Sequence, residues 1–435
     1  MPIKMTDYLY SLFKASSGVC TDTRNIAQNC LFVCLKGANF NGNDYALLAI
    51  EKGAKYVISD DSRWNGVDGI HIVEDSLLFL QSLATYHRRQ FNIPVIGITG
   101  SNGKTTTKEL MAAVLSQKYE VLFTQGNLNN HIGVPLTLLQ LNHSHELAII
   151  EMGANRLHDI KELCAIAEPT HGIITNIGRA HLEGFGSLEG VICTKKELYD
   201  SIELNGGTIV YNADDVILQG NLPKVDKLFC YSSHNSEADI HGQLEGENEY
   251  MAFRWSCEHY HSPLIQTQLT GSYNLSNFLA AVSFGVLLGV QSEQINEALA
   301  SYTPSNQRSQ ITQTKRNKLI LDCYNANPTS VRNALLSFSM FPAKQKLVIL
   351  GDMLELGSDS LNEHQEAIDF LKELELSAVL VGKEFNRVIP NEYVLNNFLS
   401  VEEFIESKII HEYNGYTILI KGSRGIQLER LAPYL

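Results

Sequence analysis

The chain has 435 residues, enough for about two to four domains that each bury a core. Hydrophobic residues make up 44% and charged residues 19%, the composition of a soluble globular protein. A formal charge of -14 argues against nucleic acid or anionic lipid as a partner, because binding either needs a basic face. A local cluster of cations can still serve a phosphorylated small substrate. The opening MPIKMTDYLYSLFKAS lacks the apolar core of a signal peptide, and the longest apolar run, Phe278 to Val290, is too short to span a bilayer. A cytoplasmic protein without membrane insertion is expected. Cysteines at 20, 30, 34, 164, 193, 230, 257 and 323 include no C-x-x-C pair, so reduced, mostly buried thiols are expected. Cys30, Phe32 and Cys34 alternate on one face of a predicted strand.

In chain order, residues 1–90 read as a small α/β domain: strand LFVCLKG, a helix over ALLAIEKGA, strands YVIS and Gly69 to Val73, then a helix ending near Arg88. Thr23 and Arg24 (in TDTR) and Lys36 are short polar sets. They suit a nucleotide or sugar head group, or equally a capped turn and surface charge.

Residues 91–308 open on VIGITGSNGKTTTKE. An apolar strand, Ile93 to Ile98, breaks into a loop with Gly100 and Gly103 and enters a helix at Lys104. Backbone N–H groups of such a loop and the helix dipole converge on an anion. Lys104 would reach the β- and γ-phosphates of an NTP, and the Thr105 hydroxyl would hold Mg²⁺. The usual pattern wants glycine at 98, where this chain has Ile98, so G-S-N-G-K-T (Gly100, Ser101, Asn102, Gly103, Lys104, Thr105), followed by Thr106, is a P-loop variant. Strands near Val121–Phe123, Leu147–Glu151, Gly172–Asn176, Thr208–Tyr211 and Lys227–Tyr231 alternate with helices. One of these has an apolar period over Arg156 to Ala167. This implies a mostly parallel sheet with ligands at its carboxyl edge. Glu151, at a strand tip beside the P-loop, stands where a Mg²⁺ ligand belongs. Asn127, Asn129 and Asn130 form an amide-rich loop suited to a neutral polar or peptide-like ligand. His181 leaves the polar loop ITNIGRAHLEGFGS and fits a second cation. By spacing alone, Lys195 and Lys196 read as a solvated helix face. Residues 237–270 read as a β-rich insertion, and Asn274 to Val290 as a long buried helix.

The polar break Thr303 to Arg308 reads as a hinge. Residues 309–435 alternate strands and helices in a Rossmann-like unit without G-x-G-x-x-G. Three of its strands end in polar loops: DCYNANP (Asp322, Asn325, Asn327), GDMLELG and KGSR (Lys421, Ser423, Arg424). Together they mark a ligand-facing rim.

These blocks, with TDTR, CLKGANFNGNDY, TQGNLNNHIGVP, EMG and LTGSYNLSN, resemble the Mur ligase family of ATP-dependent amide-forming enzymes over nearly the whole chain. The resemblance implies three α/β domains: a small one binding a UDP-sugar, a central P-loop ATPase with a mostly parallel sheet, and a Rossmann-like domain receiving the amino component. It implies ATP contacts from the P-loop, Asn274, Arg308 and Asp322. Two Mg²⁺ sites involve Thr105, Glu151 and His181, and Lys195 matches a lysine the family carbamylates into a metal ligand. Lys104, Lys195 and His181 are then the catalytic set. AHLEGFGS, YNANP and GDMLELG look most like the branch that joins D-Ala-D-Ala to a UDP-muramoyl-tripeptide. A monomer is expected. The alternatives are the sister ligase adding the third residue to a UDP-muramoyl-dipeptide, a folylpolyglutamate synthetase, and a P-loop ATPase switch.

Overall fold

Short runs of aliphatic and β-branched residues, separated by amphipathic helices, pair into sheets built mainly of parallel strands. A computed structural model describes residues 5–180, 182–304 and 308–435. Over these residues the strands form a four-stranded, a ten-stranded and a six-stranded sheet, with a two-stranded ribbon beside the first.

The first sheet runs Val19–Cys20, Leu31–Val33, Tyr56–Ser59, Ile70–Ile72, all parallel. Cys30, Phe32 and Cys34 do share a face, packed in one core with Ala46 and Ala49. Leu31, Val33 and Leu35 on the other face join a larger core that includes Val95 and Ile150 of the second unit. Helix Ser76–Arg88, capped by Asp75, reinforces that junction. Its Arg88 donates to the carbonyls of Phe91, Ala167 and Glu168. The buried His87 ring links the Tyr10 hydroxyl to the Leu141 carbonyl, and burial lowers its pKa.

In the second sheet Val95–Thr99, buried along its length, lies between Leu147–Glu151 and His171–Ile174. Val121–Phe123 flanks one side, and Thr208–Asn212 and Leu228–Ser232 the other. Residues 237–270 are β-rich, as expected, and their strands extend the central sheet. Ile240–Glu247 joins Leu228–Ser232 in parallel and pairs antiparallel with Met251–Cys257, extending the same sheet. Ile240, Met251, Phe253 and Trp255 share one core with Phe278 and Leu279 of the buried helix Leu275–Leu287, which holds these strands to the sheet. The helix expected from Arg156 begins at Asp159. The Asp159 carboxylate accepts from the Asn155 and Arg156 amides, and His158 adopts φ 71, so the preceding residues form a turn.

The third sheet runs Gln310–Gln313, Lys318–Asp322, Thr417–Lys421, Lys346–Gly351, Ala378–Val381, Val394–Phe398, antiparallel only at its first pair. Separate apolar cores cover its two faces, as a Rossmann-like unit requires.

All eight cysteines are free, but only Cys30, Cys34, Cys164 and Cys323 are buried, fewer than expected. Cys193 is exposed beside Glu189 on the outer side of helix Leu188–Leu204. Among the described residues no helix is long and apolar enough to cross a membrane.

Candidate active site

Strand Val95–Thr99 delivers the chain into its phosphate loop, and two glycines fix the loop's shape. Gly100 adopts φ 152, and a Cβ there would lie 1.9 Å from the Thr175 hydroxyl. Gly103 adopts φ 78 as the cap of helix Lys104–Leu115, and a Cβ would meet Asn277 at 2.6 Å. No side chain fits either position without displacing a neighbour. The loop is braced by the segment after the adjacent strand. Ser101 N donates to Asn176 O at 3.0 Å, and Asn102 N to Asn176 Oδ1 at 3.0 Å. Thr175 Oγ1 donates to Asn102 O at 2.5 Å. Ser101 Oγ donates to Gly178 O at 3.0 Å.

Lys104 Nζ donates to Gly100 O at 2.6 Å. Desolvation lowers its pKa, and the charge of Arg308 lowers it further against the pull of Glu151. Glu151 is 2% exposed. Its Oε1 accepts from Thr105 Oγ1 at 3.2 Å and from Asn129 Nδ2 at 2.8 Å. Its Oε2 is buried without a hydrogen-bond partner among the described residues, 3.9 Å from Lys108 Nζ. A buried carboxylate oxygen left open beside a hydroxyl is a donor set that suits a hard cation such as Mg²⁺. Lys108, 1% exposed, also lies 3.8 Å from Glu109, whose carboxylate accepts from Tyr302 Oη; the break expected at 303–308 lies partly outside the described residues. The sequence reading gave Lys108 no role, although its place one helical turn beyond Lys104 signalled it. Asn277 is a second omission. It accepts from Thr107 Oγ1 and donates to Asn274 Oδ1, one turn upstream.

A cleft of about 1500 Å³ opens over this loop and runs toward helix Ser76–Arg88 and helix Asp159–Ala167. Ser101, Asn102, Gly103, Lys104, Thr105, Thr106, Glu151 and Asn274 line it from the central unit, with Asn127, Asn129 and Asn130. Asn130 Oδ1 also caps the turn into Gly133–Leu138. Arg308 lines it from the end of the central unit, and Asp322, Asn325 and Lys421 from the third unit. Lys421 is buried and donates to Asp322 at 2.7 Å. The two units meet through reciprocal amides: Asn327 Nδ2 donates to Asn102 Oδ1 at 2.8 Å. Asn327 also caps helix Pro328–Met340 in a capping box with Ser330. Arg179 pairs with the buried Glu363 at 3.0 Å across the same junction. Ser423 is buried, its hydroxyl accepting from Leu354 N. Arg424 is exposed, 5.2 Å from the Tyr324 ring centroid.

Lys195 is no solvated residue: it is 2% exposed and faces the Phe185 ring, whereas Lys196 pairs with Asp200. Helical geometry separates the neighbours, turning one inward and the next outward. Desolvation, then the charge of Lys104, lowers the Lys195 pKa well below the usual lysine range. His181 lies outside the described residues. Thr23, Arg24 and Lys36 do not line the cleft. Arg24 is 86% exposed and forks onto Asp22, the Thr23 carbonyl accepts from Lys52, and Lys36 pairs with Asp60.

A glycine loop braced at the carboxyl edge of one mostly parallel sheet, facing the rim of a second, has the form of a nucleotide-binding enzyme of three units. Three family models match in succession: the Mur ligase family catalytic domain over residues 16–96, the Mur ligase middle domain over 98–285, and the Mur ligase glutamate ligase domain over 307–424. The chain belongs to the Mur ligase family, and it is an ATP-dependent acid–amino-acid ligase, ADP-forming. It is 33% identical to the UDP-N-acetylmuramoyl-tripeptide–D-alanyl-D-alanine ligase of Bacillus subtilis (strain 168), and 34% identical to the same enzyme of Escherichia coli (strain K12). Both matches cover 96% of this chain and 93% of the relative. MurF from Acinetobacter baumannii superposes with TM-score 0.85 at 28% identity, covering 100% of this chain and 99% of that one. The MurF ligase from Thermotoga maritima in complex with ADP gives TM-score 0.87 at 26% identity, covering 99% and 98%.

Proposed function

We propose that the chain joins D-alanyl-D-alanine to UDP-N-acetylmuramoyl-tripeptide, with ATP converted to ADP and phosphate, in the cytoplasmic stage of peptidoglycan synthesis. The observation that carries this reading is one cleft shared by the braced phosphate loop and the third unit's rim. Full-length similarity to relatives named for this reaction supports it. Residues 1–90 are assigned to the UDP-sugar, with Thr23, Arg24 and Lys36 as contacts. Residues 91–308 are assigned to ATP and residues 309–435 to the dipeptide, the whole acting as a monomer.

In the first step a terminal carboxylate oxygen of the tripeptide bonds to the γ-phosphorus of ATP. The bond to the β–γ bridging oxygen breaks, leaving an acyl phosphate and ADP. In the second, the dipeptide amine bonds to the acyl carbon, the carbon–oxygen bond to phosphate breaks, and the amine gives up a proton. Two anions meet in step one. Lys104 and Arg308 supply fixed positive charge where negative charge gathers, and the loop's N–H groups orient the phosphates. Thr105 and Glu151 would hold one Mg²⁺, and His181 with a carbamylated Lys195 a second. Bound Mg²⁺ would draw charge off the phosphate oxygens. The carbamate assignment rests on the family resemblance and on the burial of the Lys195 amine. Asn127, Asn129, Asn325 and Lys421, which line the cleft, are assigned to the peptide ends.

The test is a product analysis. With ATP, UDP-muramoyl-tripeptide and D-Ala-D-Ala, mass spectrometry should find a UDP-muramoyl-pentapeptide. Product only from UDP-muramoyl-dipeptide and a diamino acid would overturn the substrate assignment and leave the chemistry in place.

A further inference from the structure

Arg308 lines the cleft where the central unit passes into the third, and its charge has no carboxylate partner among the described residues. What holds it is an aromatic face: its guanidinium carbon lies 3.8 Å from the centroid of the Tyr324 ring. Its Nε is buried with no hydrogen-bond partner among the described residues. The exposed Arg424 approaches the same ring at 5.2 Å. Tyr324 therefore gathers two cations from two different segments, the end of the central unit and the loop after Thr417–Lys421, beside a phosphate loop that already holds Lys104. The charge of Arg308 is felt at Lys104, Lys108 and Tyr302.

The choice of partner matters chemically. A carboxylate would neutralise Arg308 and occupy its N–H donors. A ring face attracts the cation through its quadrupole and leaves the in-plane donors open to an incoming anion. We propose that Tyr324 is a positioning residue for the ligase reaction. It presents the Arg308 guanidinium stacked on its ring, and secondarily that of Arg424, to the phosphates of the nucleotide once the third unit is docked. The proposal rests on the nucleotide-site reading but not on the identity of the peptide substrates, so its test is nucleotide binding.

ADP affinity, measured by calorimetry on the full chain, should weaken about tenfold in Tyr324→Leu, the scale of a desolvated cation–ring contact. It should stay near the parent value in Tyr324→Phe, which keeps the ring face. In the Arg308→Ala background, Tyr324→Leu should add little further loss, because the residue it positions is gone. Steady-state kinetics should show the loss in KM for ATP more than in KM for either peptide substrate. Thermal unfolding of each variant separates misfolding from this effect, and Tyr324→Phe carries the comparison if Tyr324→Leu is unstable. Two results would overturn the proposal: a Tyr324→Phe loss as large as that of Tyr324→Leu, or equal losses from Tyr324→Leu with and without Arg308. Failure of all variants, parent included, to bind ADP would instead remove the nucleotide-site reading beneath it.

Discussion

Two polar loops each follow a parallel strand, Gly100 to Lys104 after Val95–Thr99 and Thr21 to Arg24 after Val19–Cys20, and the molecule treats them in opposite ways. In the second, charge is settled locally. Arg24 forks onto Asp22 two residues away, holding that carboxyl down at about 2, and the Thr23 carbonyl takes the Lys52 ammonium at the surface. In the first, the backbone is braced by Thr175, Asn176 and Gly178 from a neighbouring segment, while the charges stay unsettled. Among the described residues Lys104 donates to a carbonyl, Glu151 keeps one oxygen without a hydrogen bond beside Lys108, and Arg308 rests on a ring. A rigid backbone with unneutralised charge is what a site for a charged ligand must maintain in its absence. A loop whose exposed charges are paired locally can lend a ligand only a weak contact, exchanged for the pair it breaks.

The contrast is tested most severely by Lys104→Ala. It should lower turnover by about a thousandfold or more, since it removes the cation aimed at the transferring phosphoryl group. Full activity in a phosphate-release assay would detach the loop from the chemistry. Lys195→Ala should come next, slower by about a hundredfold, with partial recovery when short carboxylic acids are added. A fully active variant would remove the carbamate. Asn327→Ala breaks the amide pair with Asn102 and the cap of helix Pro328–Met340 together. A loss of about 1 kcal/mol in unfolding free energy is expected from the cap. A further drop of a few fold in kcat, absent from Ser330→Ala, would report the domain contact. Arg24→Ala should do least: about a two- to threefold rise in KM for the UDP-linked substrate, with kcat and stability unchanged, as for a single exposed contact. An unchanged KM would leave Arg24 a surface residue.

Much of this was legible in the sequence where the signal is local. The apolar run into Gly100 and Gly103, the helix at Lys104, and Glu151 at a strand tip are all contiguous patterns, and the structure places them together. The alternation of strands and helices announced the parallel sheets. What escaped depends on partners far apart in the chain. Asn102 and Asn327 are 225 residues apart, and nothing near either announces the other. The strands over 240–266 read as a β-rich insertion, and their place in the central sheet escaped because their apolar face is matched by Phe278 and Leu279 on a later helix. Lys195 and Lys196 are indistinguishable by spacing, and only the burial of one side of Leu188–Leu204 separates them. Arg308 was named as a nucleotide contact, but its hold on Tyr324 needed the loop after Lys318–Asp322 to be folded beside it.

The central claim is that one cleft couples ATP cleavage to formation of an amide bond. Phosphate release should be measured with ATP and UDP-muramoyl-tripeptide, in the presence and absence of D-Ala-D-Ala. The account predicts sustained release only when both peptide substrates are present. Sustained hydrolysis of ATP that ignores both would contradict it and make the protein a nucleotide switch.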